Sequence, residues 1–352
     1  MTAGTDAIEP RLRLGVVGCG RVFERFHLPA LRLSRHWQLV GACEIHPERR
    51  RWLEKEVAMP VVDSPRELLR STTPDALLIA TPPQHHLAPA LEALRSGVHV
   101  LVEKPMAMSS TEAAEMVAAA RSSGCHLRVG FHRRFRSNYV GVGAWLKDRA
   151  AAPITALRHV LMVDLNWNRV DDWAAEQPAR RAMLDDVASH QLDLVPFLLS
   201  RPIHRIRATA ATPDHLVRRH VEYTLDLGEE LFAFCVAGYD TRYRERLTIE
   251  SPSRTLVCQP GGLFETRTGR ESVRELRGRV MDTLELLRAR LTARPSQSVL
   301  GFAAQLDAFS SVLVRGHSEP AGASGAAGLQ AVLAIEALES SLDRGGEWIR
   351  LE

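Results

Sequence analysis

The chain is short of lysine. Its 352 residues include 45 Lys+Arg, yet lysine occurs only at Lys55, Lys104 and Lys147. Cysteine is sparse as well: Cys19, Cys43, Cys125, Cys235 and Cys258 are scattered, odd in number and without a CxxC spacing. That pattern argues against a disulfide framework or a zinc site; it suits reduced thiols in a cytoplasmic protein, with no metal expected. No apolar run reaches the length of a bilayer span, and the polar first ten residues lack a signal-peptide core, so no membrane association is expected. A net charge of +3, with no basic run interleaved with aromatics, argues against nucleic acid as a partner. What remains is a chain long enough for two domains with buried cores.

The first third alternates strand and helix patterns. An apolar run over 12–17 stops at Gly18-Cys19-Gly20, and a helical pattern follows. This order makes a GxG turn meaningful: Gly18 permits the tight turn, and Gly20 lets a pyrophosphate approach backbone N–H groups. The expected cradle is therefore Gly18, Cys19, Gly20, Arg21 and Val22. Phe23 stands where Gly or Ala is usual, so helix–strand packing there must be accommodated differently. A second strand over 38–43 ends in Glu44, 24 positions after Gly20. A carboxylate so placed accepts hydrogen bonds from the adenosine ribose and repels a 2′-phosphate, which favours NAD over NADP. Arg49, Arg50 and Arg51 follow closely. They either form a solvated helix face or reverse that preference, so NADP stays open.

Further strands are predicted over 75–80, closed by Thr81-Pro82-Pro83, over 98–102 and over 126–131. Ser64-Pro65-Arg66-Glu67 and Ser109-Ser110-Thr111-Glu112 are helix starts, and Gly97 and Gly124 are stops. The alternation predicts a doubly wound parallel sheet, a Rossmann dinucleotide-binding domain over 1–135. The strand over 98–102 runs into Glu103-Lys104-Pro105, where ligands bind in open α/β sheets, just past a strand's carboxyl end. In a chain that uses arginine almost everywhere, lysine at 104 points to a need for a compact ammonium, the bland alternative being a surface Glu-Lys pair that caps the strand.

These residues resemble a known family. Gly18-Cys19-Gly20, His27-Leu28-Pro29-Ala30-Leu31, Thr81-Pro82 with His86, Glu103-Lys104-Pro105, and Val129-Gly130-Phe131 with Arg133-Arg134-Phe135 occur in order. The set resembles the glucose–fructose oxidoreductase / inositol dehydrogenase (Gfo/Idh/MocA) family. The resemblance implies an α/β protein in which a Rossmann domain is joined to an α+β domain on an open, largely antiparallel mixed sheet. It also implies NAD- or NADP-linked oxidation or reduction of secondary alcohols on sugars and cyclitols. Thr81, Pro82, His86, Glu103 and Lys104 become cofactor contacts, Glu103 at the nicotinamide ribose and Lys104 at the reacting oxygen.

The second domain is expected over 136–352. Strand patterns over 154–165, 203–212, 220–227, 231–239, 242–250 and 254–259 suggest adjacent antiparallel strands, with a hairpin at Gly228-Glu229-Glu230. Helices are expected over 271–291, 299–314 and 329–341, with 320–328 a flexible link. Asp186, His190 and Asp193 fall at i, i+4 and i+7 of an otherwise apolar helix, one face of it. The bland alternative is a satisfied core histidine beside a carboxylate; the resemblance makes His190 the general base and Asp186 its partner. Arg180-Arg181-Ala182 stand where relatives carry glycines, either as an exposed loop or as a pocket for an anionic group. Trp167 and Trp173, among Asn and Asp residues, are either sugar platforms or core filler; Arg134 is a further candidate substrate contact, and Tyr239 and Arg242 are weaker ones.

The expected reaction is reversible hydride transfer to or from a carbinol carbon of a small polyol or sugar. Lys104, His190 and Asp186 are the catalytic residues. Alternatives are an NADP-linked ketoreductase of nucleotide-linked sugars, an NAD-dependent glycosidase and a non-enzymatic regulator. A homodimer or homotetramer is expected.

Overall fold

A computed structural model describes residues 11–148, 153–164, 179–211, 219–240, 242–260, 262–267, 273–277, 295–316 and 322–351. Strand β1 (Leu12–Val17) pairs in parallel with β2 (Trp37–Cys43) and β4 (Ala76–Ile79), and β5 (His99–Val102) and β6 (Leu127–Val129) extend the same sheet. With β3 (Val61–Val62) and β15 (Ala323–Ser324) the order is β15-β6-β5-β4-β1-β2-β3. The central strands read as continuous apolar runs because both faces are covered; β4 is buried at all four positions. Helices α1 (Leu28–Leu33), α2 (Pro47–Glu56), α3 (Pro65–Thr72), α4 (Leu87–Arg95) and α5 (Ser110–Ser123) make the crossovers. Ser109 caps α5 by accepting from the Glu112 N–H, and Gly124 ends it with φ +67°. Ser64 precedes α3 as expected, but its side chain makes no cap hydrogen bond.

After α6 (Ser137–Asp148), the chain adds β8 (Arg205–Ala211), β9 (Arg219–Asp226), β11 (Arg244–Ser251), β12 (Arg254–Gln259), β13 (Gly262–Arg267), β14 (Val273–Arg277) and β16 (Ile349–Arg350). With β7 (Ala156–Asp164) and β10 (Phe232–Asp240) they form a nine-stranded sheet, β14-β13-β12-β11-β7-β10-β9-β8-β16. Here β7 and β10 run parallel and the remaining pairs antiparallel, which is the mixed sheet expected. Helical residues from Ala179 to Leu199 cover one face through Leu184, Val187, Leu194 and Val195, all fully buried.

Three expectations change. Residues 273–277 form strand β14 (Val273–Arg277), not the start of a helix, and 278–291 lie outside the described residues. The stretch around Gly325 and Gly328 is not a flexible link. Ala323–Ser324 is β15, antiparallel to β6, and a helix starts at Gly325. A Cβ on Gly328 would sit 2.6 Å from Val129 Cγ2, so this glycine serves close packing. Finally, a split at residue 135 does not describe the packing after residue 296. Helix Gln297–Arg315 buries Val299, Phe302, Leu306 and Phe309 against β1, β2 and α1 residues of the first domain. Among the described residues it alone is long and apolar enough to cross a membrane.

Candidate active site

The turn after β1 is built to let a ligand close to the backbone. Gly18 has φ +83°, and a Cβ there would lie 2.6 Å from the Thr81 backbone nitrogen. A Cβ on Gly20 would meet nothing within 4 Å, so that side of the turn is open. The Glu44 carboxylate, 5% exposed, accepts from the Cys19 N–H at 2.9 Å and from the His46 N–H at 3.0 Å. An anchored acidic group at a strand end beside an open glycine turn fits a dinucleotide. Burial pushes the Cys19 thiol well above its ordinary range, so Cys19 contributes backbone, not a nucleophile. Arg21 and Val22 open the helix, which continues through a π turn at Phe23–His27. Phe23 is fully buried, and the bulky side chain at the third fingerprint position is thus accommodated in a helix that carries one extra residue in its turn.

That π turn presents His27 to Glu103, with Nε2 2.7 Å from the carboxylate. Glu103 also accepts from the Lys104 N–H at 3.2 Å, and Gly130 makes room for it: a Cβ there would be 2.8 Å from Glu103 Oε1. The following peptide, Lys104-Pro105, is cis. Lys104 reaches across to the second domain, its Nζ donating to the Asp186 carbonyl at 2.9 Å and to Asp186 Oδ1 at 3.0 Å. A second π turn, Leu184–Ala188, holds Asp186 there, and the Tyr239 hydroxyl donates to Asp186 Oδ2 at 3.3 Å.

His190 stands on the next turn, 6% exposed, with its ring edge-on to His132 at 5.4 Å between centroids. His132 in turn stacks on Phe302, and Phe302 meets His27 edge-on. The Nδ1 atoms of His190, His132 and His27 are buried without a hydrogen-bond partner among the described residues. Burial, and then the Lys104 charge, lowers the His190 pKa well below the ordinary imidazole value. His132 is lowered likewise, by burial and then Arg133. Both rings are neutral at neutral pH.

Several expected contacts resolve differently. Arg134 does not serve as a free substrate cation: its guanidinium donates to both Asp193 oxygens, at 2.8 and 2.5 Å, and lies over the Phe197 ring. Asp193 therefore leaves the polar stripe, because both its oxygens are taken by the buried Arg134 guanidinium. His86 is a strut: it is 1% exposed and its two nitrogens lie 3.1 Å from the Pro105 carbonyl and 2.8 Å from the Thr81 carbonyl. It ties the Thr81-Pro82 loop to the Glu103-Lys104-Pro105 loop. Arg180 pairs with Asp343 at 2.8 Å and Arg181 with Asp185 and Glu339, so neither is an open anion pocket. Trp167 and Trp173 lie outside the described residues. Among those described, no cluster of three or more His, Cys, Asp or Glu could hold a metal ion. His27, His132 and Phe302 were not legible as site residues. Only the His27-Leu28-Pro29 motif and the basic turn at 132–135 marked two of them.

The site's first-domain half matches a family model described as "Oxidoreductase family, NAD-binding Rossmann fold" over residues 12–131. Over those residues the chain is similar to the Gfo/Idh/MocA oxidoreductases. Among its relatives is D-glucoside 3-dehydrogenase of Escherichia coli (strain K12), 34% identical over 125 residues, 35% of this chain and 36% of that protein. Matched segments span 31–62% of the curated relatives' lengths. Likeness to solved structures runs along nearly the whole chain. An inositol dehydrogenase homolog from Azotobacter vinelandii, complexed with NADH and myo-inositol, has TM-score 0.78 at 18% identity, covering 97% of this chain and 98% of that one. The WlbA dehydrogenase from Bordetella pertussis, in complex with NADH and UDP-GlcNAcA, has TM-score 0.75 at 21% identity, covering 97% and 99%. At these identities the likeness establishes the shared fold.

Proposed function

We propose that this protein is an NAD-dependent oxidoreductase interconverting a secondary alcohol and a ketone on a cyclitol, sugar or aminosugar. The observation that carries the reading is the ammonium of Lys104 held on Asp186 across the domain boundary, one helical turn from a neutral, buried His190. Bound nicotinamide dinucleotide supplies the hydride acceptor or donor. Lys104 uses two of its three N–H donors on Asp186, and the third is directed to the substrate oxygen, where it stabilises developing alkoxide charge. His190 takes the hydroxyl proton in oxidation and returns it in reduction; burial and the Lys104 charge keep it neutral and ready to accept. Asp186 fixes the Lys104 ammonium and, with Tyr239, the corner of the site where neighbouring hydroxyls bind.

NAD is preferred over NADP in this reading. Glu44 is anchored by two backbone N–H groups, and Ile45 beside it is 68% exposed and uncharged. Arg49, a candidate to carry a 2′-phosphate, donates to the Cys19 carbonyl at 3.1 Å and to Glu24 at 3.0 Å. The face of the second sheet opposite the core carries Phe232, Phe234 and Val236 of β10 beside Val160 and Met162 of β7, and this apolar patch supports a homo-oligomer. The deciding experiment is a panel of inositols, aminocyclitols, sugars and nucleotide-linked sugars with NAD or NADP, followed by nicotinamide absorbance. Turnover of a free polyol with NAD is the expected result. Turnover confined to NADP and nucleotide-linked sugars, or glycoside cleavage without net NADH, would replace it.

A further inference from the structure

Arg181 makes a three-armed contact that nothing in the proposed chemistry requires. Its Nη2 donates to the Met108 carbonyl at 2.8 Å, its Nη1 to Glu339 Oε2 at 2.9 Å, and its Nε to Asp185 at 3.0 Å. Each arm belongs to a different part of the fold. Met108 lies four residues beyond Lys104, on the segment that leads into α5. Asp185 is the immediate neighbour of Asp186 in the second π turn, and Glu339 sits on the last long helix, Gly325–Asp343. The guanidinium is nearly enclosed, its side chain 12% exposed, and Asp185 is wholly buried. The geometry also repeats: two consecutive aspartates of one π turn each take a cation, Asp185 from its own helix and Asp186 from the opposite domain.

We infer that Arg181 is a positioning residue that holds the Lys104 segment and the Asp186 turn in register across the domain boundary. The inference rests on the reading of Lys104 and Asp186 as the pair that meets substrate. The Arg181 arm adds a rigid tie to the ammonium contact, which Lys104 makes at the end of a side chain with four rotatable bonds. A planar fork with fixed donor directions suits the task, since it satisfies three acceptors in one orientation. Glycine in its place has no side chain to span them. The same three acceptors explain why position 181 is closed to a substrate anion, since the guanidinium already has two carboxylates.

Lysine scarcity makes the test direct. Lys55 and Lys147 are exposed and serve as internal standards for Lys104 in one peptide map. The folded protein is labelled with a small amine-reactive ester, without cofactor or substrate, and each lysine is followed by mass spectrometry. In the native chain Lys104 labels more slowly than the other two. Arg181→Gln is expected to speed Lys104 labelling roughly tenfold, the equilibrium equivalent of losing one charge-assisted hydrogen bond, with Lys55 and Lys147 unchanged. Arg181→Lys restores part of the protection. An unchanged Lys104 rate, or an equal rise at all three lysines, overturns the inference. Should Arg181→Gln not fold, Glu339→Gln removes one arm and leaves Arg181; a selective but smaller rise is expected, and no rise overturns the inference. Because labelling needs neither substrate nor dinucleotide, its outcome is separate from that of the substrate panel. With a substrate in hand, Arg181→Gln lowers kcat while KM stays within about threefold, the pattern of a group that acts on the transition state.

Discussion

Replacing Lys104 by methionine tests the core of the chemistry. The substitution keeps most of the apolar stem and removes the charge that bridges to Asp186 at 3.0 Å. Losing a preorganised donor to a developing oxyanion costs about 3–4 kcal/mol, so kcat is expected to fall roughly 10²–10³-fold. Stability should change little. The two side chains are 13% and 18% exposed, and water reaches the released carboxylate, so the cost is about 1 kcal/mol. A second consequence is a shift in pH dependence. Oxidation needs His190 neutral, and burial followed by the Lys104 charge holds its pKa well below the ordinary value. Activity of the parent enzyme in the oxidative direction should therefore persist below about pH 6.5 and fall only at lower pH. Removing the ammonium raises the His190 pKa, so in Lys104→Met the acid limb moves to higher pH; burial keeps part of the depression. Steady-state rates from about pH 4.5 to 9, with NAD binding measured separately by fluorescence, provide the assay. A kcat within threefold of the parent, or an acid limb that does not move, would refute the reasoning. So would a loss explained wholly by weaker NAD binding.

Other variants separate scaffold from site. Asp193→Ala leaves the Arg134 guanidinium buried without its carboxylate, side chains 7% and 2% exposed, and should cost about 3–5 kcal/mol. At about 2.1 cal/mol/K per residue over a roughly 200-residue unit, the melting temperature falls about 7–12 °C. Arg134→Met with Asp193→Leu recovers most of that loss; a stable single variant with damaged turnover would instead make Asp193 a substrate ligand. The two turn glycines should behave differently. Gly20→Ala, whose Cβ meets no protein atom, leaves the melting temperature unchanged but weakens NAD binding at least about tenfold by crowding the ligand. Gly18→Ala, at φ +83° and 2.6 Å from the Thr81 nitrogen, lowers both the melting temperature and the affinity. Equal effects at the two positions in calorimetry and titration would contradict the assignment of Gly20 to the ligand side.

Much of this molecule is written in short-range pattern. Strand β4, buried at every position, and the stops at Gly97 and Gly124 follow from local burial and backbone freedom, which neighbouring residues decide. Glu44, Glu103 and Lys104 were legible for the same reason, since each lies just past a parallel strand, where the fold opens to ligands. Asp186 and His190 were legible from helical spacing, but Asp193 was misplaced by it. Its carboxylate is taken by Arg134, 59 positions away, and helical periodicity carries no sign of that partner. Burial, too, is a property of packing and not of any one side chain. Arg181 reads equally well as a loop arginine until Met108, Asp185 and Glu339 converge on it from three segments. His27, His132 and Phe302 surround one another from positions 27, 132 and 302. Sequence alone marked which strands end in glycine turns and charged residues, because those signals act over a few residues. That Lys104 faces Asp186, and Arg134 faces Asp193, was decided only by the tertiary fold, because those contacts join residues 82 and 59 positions apart.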